Sequence, residues 1–255
     1  TCSAGGFRRN MGTMAKAFHS GHAARAAIEA VLLAERGFTA DPEVLEAPLG
    51  FMRALTAPEE PDWDAIVARL GHPFGLAGKV KFKPYPACTP IQPVLEAVLA
   101  LRREAGFGYE DVAAVEADLH IFSLFRLDPA DADAVGFSGP YLVAAALVHG
   151  KVGLDEVEAE AVHDARVRAL MPRIHHRPQK ENEMVTIRLA DGRSLTRAAA
   201  PVRRLAGEAE VVAKYRDCAN RVLDADVVAE LQERVLALET ETDMRRLAEL
   251  FGGRT

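Results

Sequence analysis

Between Ser20 and Gly37, Ala24, Ala27, Ile28, Val31, Leu32 and Glu35 fall at helical spacing, which predicts a helix with Ser20 as its cap and Gly37 as its stop. The alanines along it predict close contact with neighbouring helices. Next comes FTADPEVLEAPLGFMRAL, a mixture of turn residues and short helical pieces, then a short helix over 62–70. Three glycines and a proline between Gly71 and Gly78 predict a linker.

The periodicity changes after the linker. VKFKPYP alternates like a strand, and residues 93–104 return to helical spacing before Gly106. Residues 113–122 alternate in part, as a half-buried strand does. Residues 139–149 form a short apolar helix, with Pro140 near its start and Gly150 after its end. Residues 164–171 are helical until Pro172. The strongest local signal is MVTIRLADGRSLTRA, two alternating runs about Asp191-Gly192, which predicts a hairpin. Three helical stretches close the chain, from Glu208, over 226–238 and over 242–251, with Asp224 or Asp226 and then Asp243 as caps. Strands and helices mix without regular βαβ alternation, so the expected class is α+β. The expected division is helical over 1–78, α+β over 79–206, and helices over 207–255 that return to the first layer. There is no internal repeat.

Composition adds exclusions. The 255 residues carry 31 Lys and Arg against 37 Asp and Glu, a net charge of −6, and 49% are hydrophobic. Such a chain can bury a sizeable core and lacks the basic tract that nucleic acid or an anionic membrane surface attracts. The longest apolar run, Tyr141–Val148, falls far short of the roughly 18 residues of a membrane span. Residues 1–10 show no hydrophobic signal core, and Cys2, Cys88 and Cys218 stand far apart. A cytoplasmic protein without disulfide framework or CxxC metal site is expected. Motifs for nucleotide phosphates, zinc proteases and esterases are absent.

Candidate chemistry gathers in three segments. GTMAKAFHSGHAARAA places Lys16, His19, Ser20 and His22 around a predicted helix N-terminus, where free N–H groups attract an anion. Lys16 and His19 there could hold a carboxylate and move a proton beside it; a solvated lysine and an ordinary cap explain the pattern equally. KPYPACTPIQP is a loop stiffened by four prolines that could hold Lys83, Tyr85, Cys88 or Gln92 against a ligand, or simply end a strand. FSGPYLVAAALVHG sets Ser138 at a cap and Tyr141 in the first turn, where a phenol can donate to an oxyanion or anchor a helix end. His175 and His176, adjacent on a strand, face opposite sides and cannot share a metal.

In order, GTMAKAFHSGHAARAAIEAVLLAERGFTADPEVLEAPLGF, KPYPACTPIQP, FSGPYLVAAALVHGKVGLDEV, DARVRALMPRI, DGRSLTRA and KYRDCANRVL resemble the MmgE/PrpD family. That family includes 2-methylcitrate dehydratase, cis-aconitate decarboxylase and iminodisuccinate epimerase. The resemblance implies a helical domain plus a smaller α+β domain, a homodimer, and chemistry on small di- or tricarboxylates without metal or organic cofactor. The shared step is proton transfer at a carbon next to a carboxylate, followed by loss of water, loss of CO2 or reprotonation. The family's active-site Lys matches Lys16, its HxG matches His19 and Gly21, and its active-site Tyr matches Tyr141. Catalysis is thus expected of Lys16 and Tyr141, and substrate contact of His19, Ser20, Gln92 and Ser138. In two respects the chain departs from the pattern. Gln92 stands where the family commonly has a His, and a glutamine cannot exchange a proton near neutral pH. Family chains are also nearly twice as long, so this one corresponds to their C-terminal portion. A lyase or isomerase is therefore expected, with a truncated, non-catalytic ligand-binding or assembly protein as the alternative.

Overall fold

A computed structural model describes residues 6–56, 61–71, 74–75, 82–178, 184–199 and 207–252. The helices among them are α1 (Met14–Glu35), α2 (Phe51–Thr56), α3 (Trp63–Val67), α4 (Gln92–Ala105), α5 (Ala132–Val135), α6 (Gly139–His149), α7 (Ala165–Leu170), α8 (Glu208–Ala219), α9 (Ala225–Leu236) and α10 (Met244–Phe251). The strands are β1 (Val112–Ala117), β2 (Ile174–His176), β3 (Met184–Leu189) and β4 (Ser194–Ala198), in the order β2-β1-β3-β4. β1 runs parallel to β2 and antiparallel to β3, and β3 antiparallel to β4. The class is α+β, as expected.

Strand alternation gives this sheet one buried face. Val115, Ala117, Val185, Ile187 and Leu189 are buried, in a register that sets Val115 beside Ile174 and Ile187. The other face is polar: Glu116 pairs with Arg177 and, at 2.8 Å, with Arg188, while the hydroxyls of Thr186 and Thr196 lie 3.1 Å apart. α4 and α6 cover the buried face and pack on each other. Both end as the sequence dictates, with Gly106 (φ 63°) and Gly150 (φ 70°) in the left-handed conformation that avoids a Cβ clash. Ser138 caps α6 by accepting from the Tyr141 N–H at 3.3 Å. The hairpin turns where expected, with Gly192 at φ 91° and the Arg193 N–H donating to Asp191 Oδ1 at 2.9 Å.

α8, α9 and α10 form a second, smaller cluster of Val227, Leu231 and Leu247, joined by Tyr215, Leu223 and Leu250. Arg221, just past α8, reaches Asp155 at 2.7 Å and Glu158 at 2.8 Å beside the main core.

Several local expectations need correction. α1 begins at Met14 with Thr13 as its cap residue, so Ser20 lies inside the helix. Gly12 at φ 76° turns the chain before Thr13, and Met-Ala-Lys-Ala are good helix formers, which outweighs the capping preference of Ser20. Phe82 and Lys83 are irregular and Pro84 to Ala87 form bends, not a strand, since Pro84 and Pro86 cannot donate to a ladder; residues 80–81 lie outside the described residues. Most of the expected linker, 72–73 and 76–78, lies outside them too. β1 stops at Ala117, and His120 then opens a tight turn by accepting the Phe122 N–H at 3.2 Å.

Candidate functional site

Five separate stretches of chain meet at a cleft of about 350 Å³. The first turn of α1 brings Lys16. The proline-stiffened loop brings Lys83 and Cys88, α5 and the turn after it bring Asp133 and Phe137, Val157 adds apolar wall, and α8 brings Lys214. Three lysines thus line one opening, with Asp133 as the acidic residue among the described lining residues.

The loop's rigidity has a specific source. Gln92 is fully buried at the start of α4, and its side chain binds back onto the loop. Its Oε1 accepts the Tyr85 N–H at 3.1 Å, while Nε2 donates to the carbonyls of Tyr85 (3.1 Å) and Ala87 (3.3 Å). A buried amide engaged on both ends fixes the backbone that carries Lys83 and Cys88. Lys83 folds along the same loop and donates to the Ala87 carbonyl at 3.1 Å. Burial pushes its ammonium below the ordinary lysine range; repulsion from Lys16 and Lys214 adds to that, and Cys88 acts in the other direction. The buried Cys88 thiol sits 3.5 Å from the Ser123 hydroxyl.

Of the residues expected to carry catalysis or substrate contact, Lys16 lines this cleft, and so do Lys83, Tyr85 and Cys88, which the sequence offered as options on the stiff loop. His19 lies one turn further along α1 against Gly6, and Ser20 is exposed beyond it. Gln92 stands behind the loop wall. Ser138 is buried as the α6 cap. Tyr141 is completely buried, and its hydroxyl lies 2.8 Å from the Ala161 carbonyl and 3.0 Å from that of Glu156. Burial, reinforced by Asp164 and Glu156 against an opposing Arg168, pushes the phenol up to about 12. The structure therefore shows Gln92, Ser138 and Tyr141 bracing the elements around the cleft, with their polar atoms on the chain itself.

Two cleft lysines were less visible in the sequence. Lys83 appeared only as one option on a stiff loop. Lys214 carried no signal of its own, because it lies 131 positions from the Lys83 carbonyl to which it donates. A second cleft, about 450 Å³, is lined by Arg166 and Arg173, but those guanidiniums already bind Asp164 and the Val112 carbonyl. Among the described residues no group of three or more His, Cys, Asp or Glu is placed to hold a metal ion, and no helix is long and apolar enough to cross a membrane.

The chain is thus an α+β protein with a lysine-lined cleft where α1, the proline-stiffened loop, α5 and α8 meet. The chain belongs to the MmgE/PrpD family: the C-terminal domain of that family matches residues 85–240, and its N-terminal domain matches residues 2–64. No curated protein matches the chain.

Proposed function

We propose that this protein is a lyase or isomerase acting on a small di- or tricarboxylate, by proton transfer at a carbon next to a carboxylate and without a cofactor. The observation that carries this is the convergence of Lys16, Lys83 and Lys214 on one cleft, with Lys83 held below the ordinary lysine range. Three cations suit a substrate bearing two or three carboxylates, since charge-assisted hydrogen bonds are the strong ones. Lys16 and Lys214 hold carboxylates. Lys83, whose neutral form is reached closer to neutral pH, takes or returns the proton. Tyr141, Gln92 and Ser138 keep the surrounding walls in place. In this proposal the protein works in the cytoplasm as a homodimer, the exposed apolar residues of α1 supporting self-association.

The test is thermal shift with citrate, methylcitrate and aconitate, followed by assay on methylcitrate, cis-aconitate and iminodisuccinate. All three polycarboxylates should raise Tm. Lys16→Ala should remove about 1.5–3 kcal/mol of binding, roughly tenfold or more in affinity. Flat melting curves for the native chain would sink the carboxylate site. A non-catalytic binding role is favoured by one observation, that the Tyr141 hydroxyl and the Gln92 amide are both engaged by the chain itself. Polycarboxylate binding with no turnover on any of the three substrates selects that role.

A further inference from the structure

Lys214 is the member of the lysine trio that comes from the C-terminal helices, and it does two things at once. Its ammonium donates to the backbone carbonyl of Lys83, and its side chain lines the same cleft as Lys83 and Lys16. We propose that Lys214 is a positioning residue: by gripping the Lys83 carbonyl it fixes where the Lys83 amine stands in the cleft, and its charge adds to the repulsion that Lys16 exerts on that amine. This rests on the cleft being the substrate site.

The geometry leaves Lys83 held from two sides. Gln92 fixes the loop after it, through Tyr85 and Ala87, and the Lys83 side chain is itself drawn to the Ala87 carbonyl. The Lys83 carbonyl is held from α8, by Lys214. The ammonium that makes it brings a positive charge next to another lysine, an arrangement that costs Coulomb energy unless an anion or a shift in protonation offsets it. Among the described residues, the charged and titratable groups lining the cleft with Lys83 are Lys16 on α1, Tyr85 and Cys88 on the loop, Asp133 on α5 and Lys214 on α8. Both neighbouring lysines push the Lys83 amine toward its neutral form, as burial does. Removing the Lys214 charge while keeping a hydrogen-bond donor should therefore make Lys83 a more ordinary lysine without releasing the loop.

The measurement is the rate of Lys83 modification by trinitrobenzenesulfonate, read at its own peptide by mass spectrometry from about pH 7 to about pH 10. It is made on the full chain and on Lys214→Arg and Lys214→Gln, with and without citrate. Lys151, paired with Asp155 and Glu156, serves as the internal reference. Lys214→Arg keeps cation and donor and should leave the Lys83 profile unchanged. Lys214→Gln should move the Lys83 midpoint up and slow its modification near pH 8 by about 2-fold, the effect of losing the weaker of two nearby like charges. An unchanged Lys83 profile in Lys214→Gln, or an equal shift in Lys214→Arg, overturns the proposal. Should Lys214→Gln fail to fold, the native chain decides: both ammoniums donate to carbonyls, but Lys83 alone is pushed toward its neutral form, so it should be modified before Lys214, and the reverse order overturns the proposal. Citrate tests the substrate site separately. A Lys83 shift without citrate protection removes that site and leaves the Lys214 role standing; protection without a shift removes the Lys214 role alone.

Discussion

α1 and α6 both lack a single apolar stripe and have opposite fates. α6 is apolar nearly all round, while α1 mixes apolar residues with Lys16, His22, Arg25 and Glu29 on its several faces. In α6 every residue from Gly139 to Val148 is buried, between α4, β2 and α7. In α1 no residue is buried, and Phe18, Ile28 and Val31 are each about 60% exposed. Hydrophobicity all round a helix states a need for neighbours and does not supply them. α6 meets that need from its own chain, because the sheet and α4 lie within reach of short connections. α1 does not meet it within the described residues.

The sharpest way to break this contrast is to remove matching side chains. Leu147→Ala, at a fully buried site, should cost about 2–5 kcal/mol. Ile28→Ala should stay within about 0.5 kcal/mol, as surface substitutions do. Urea denaturation of both variants checks this, and an equal loss at Ile28 would show that α1 is packed in solution.

A somewhat smaller effect separates buried from exposed by pH. Tyr141 titrates at about 12 in the folded chain and near 10 when unfolded, so its raised value favours the folded state while it stays protonated. That stability is complete below about pH 10 and is lost as pH rises toward 12, a change of about 2–3 kcal/mol. Tyr141→Phe removes this alkaline dependence, along with the hydrogen bond to Ala161 or Glu156, worth about 1 kcal/mol at neutral pH. Denaturation midpoints of the two chains compared from neutral to alkaline pH should converge and then cross as pH rises toward 12. Parallel curves would place the phenol in water.

The smallest expected effect lies at the seam between the C-terminal helices and the main core. Arg221→Ala breaks its pairs with Asp155 and Glu158 but should cost less than about 1 kcal/mol, and still less in high salt, because those charges are largely solvated. Thermal melting at two salt concentrations measures it. A loss above that would make the seam as integral as the α4–α6 contact.

Features that depend on neighbours in sequence were legible in the chain alone. α4, α6, α7, the hairpin at Asp191-Gly192 and the C-terminal helices appear within a few residues of their expected bounds, because capping, glycine stops and two- or 3.6-residue periods act over one or two turns. α1 was found but started six residues late, since Ser20 offered a stronger cap signal than the Gly12-Thr13 turn that actually begins it. Lys16 was legible for the same local reason.

Tertiary structure decided what each polar group does. Tyr141, Gln92 and Ser138 are residue types that serve catalysis and scaffolding equally well, and only folding showed that their polar atoms engage the carbonyls of Ala161, Tyr85 and Ala87 and the Tyr141 N–H. Lys214 became part of the cleft in the same way, through a contact spanning 131 positions that no local period encodes. Sequence sets the period, the caps and the chemistry of each side chain, because those are short-range properties. Which side chains share a cleft, and which are consumed in building it, depends on contacts whose partners lie far apart in the chain and come together only when the core closes.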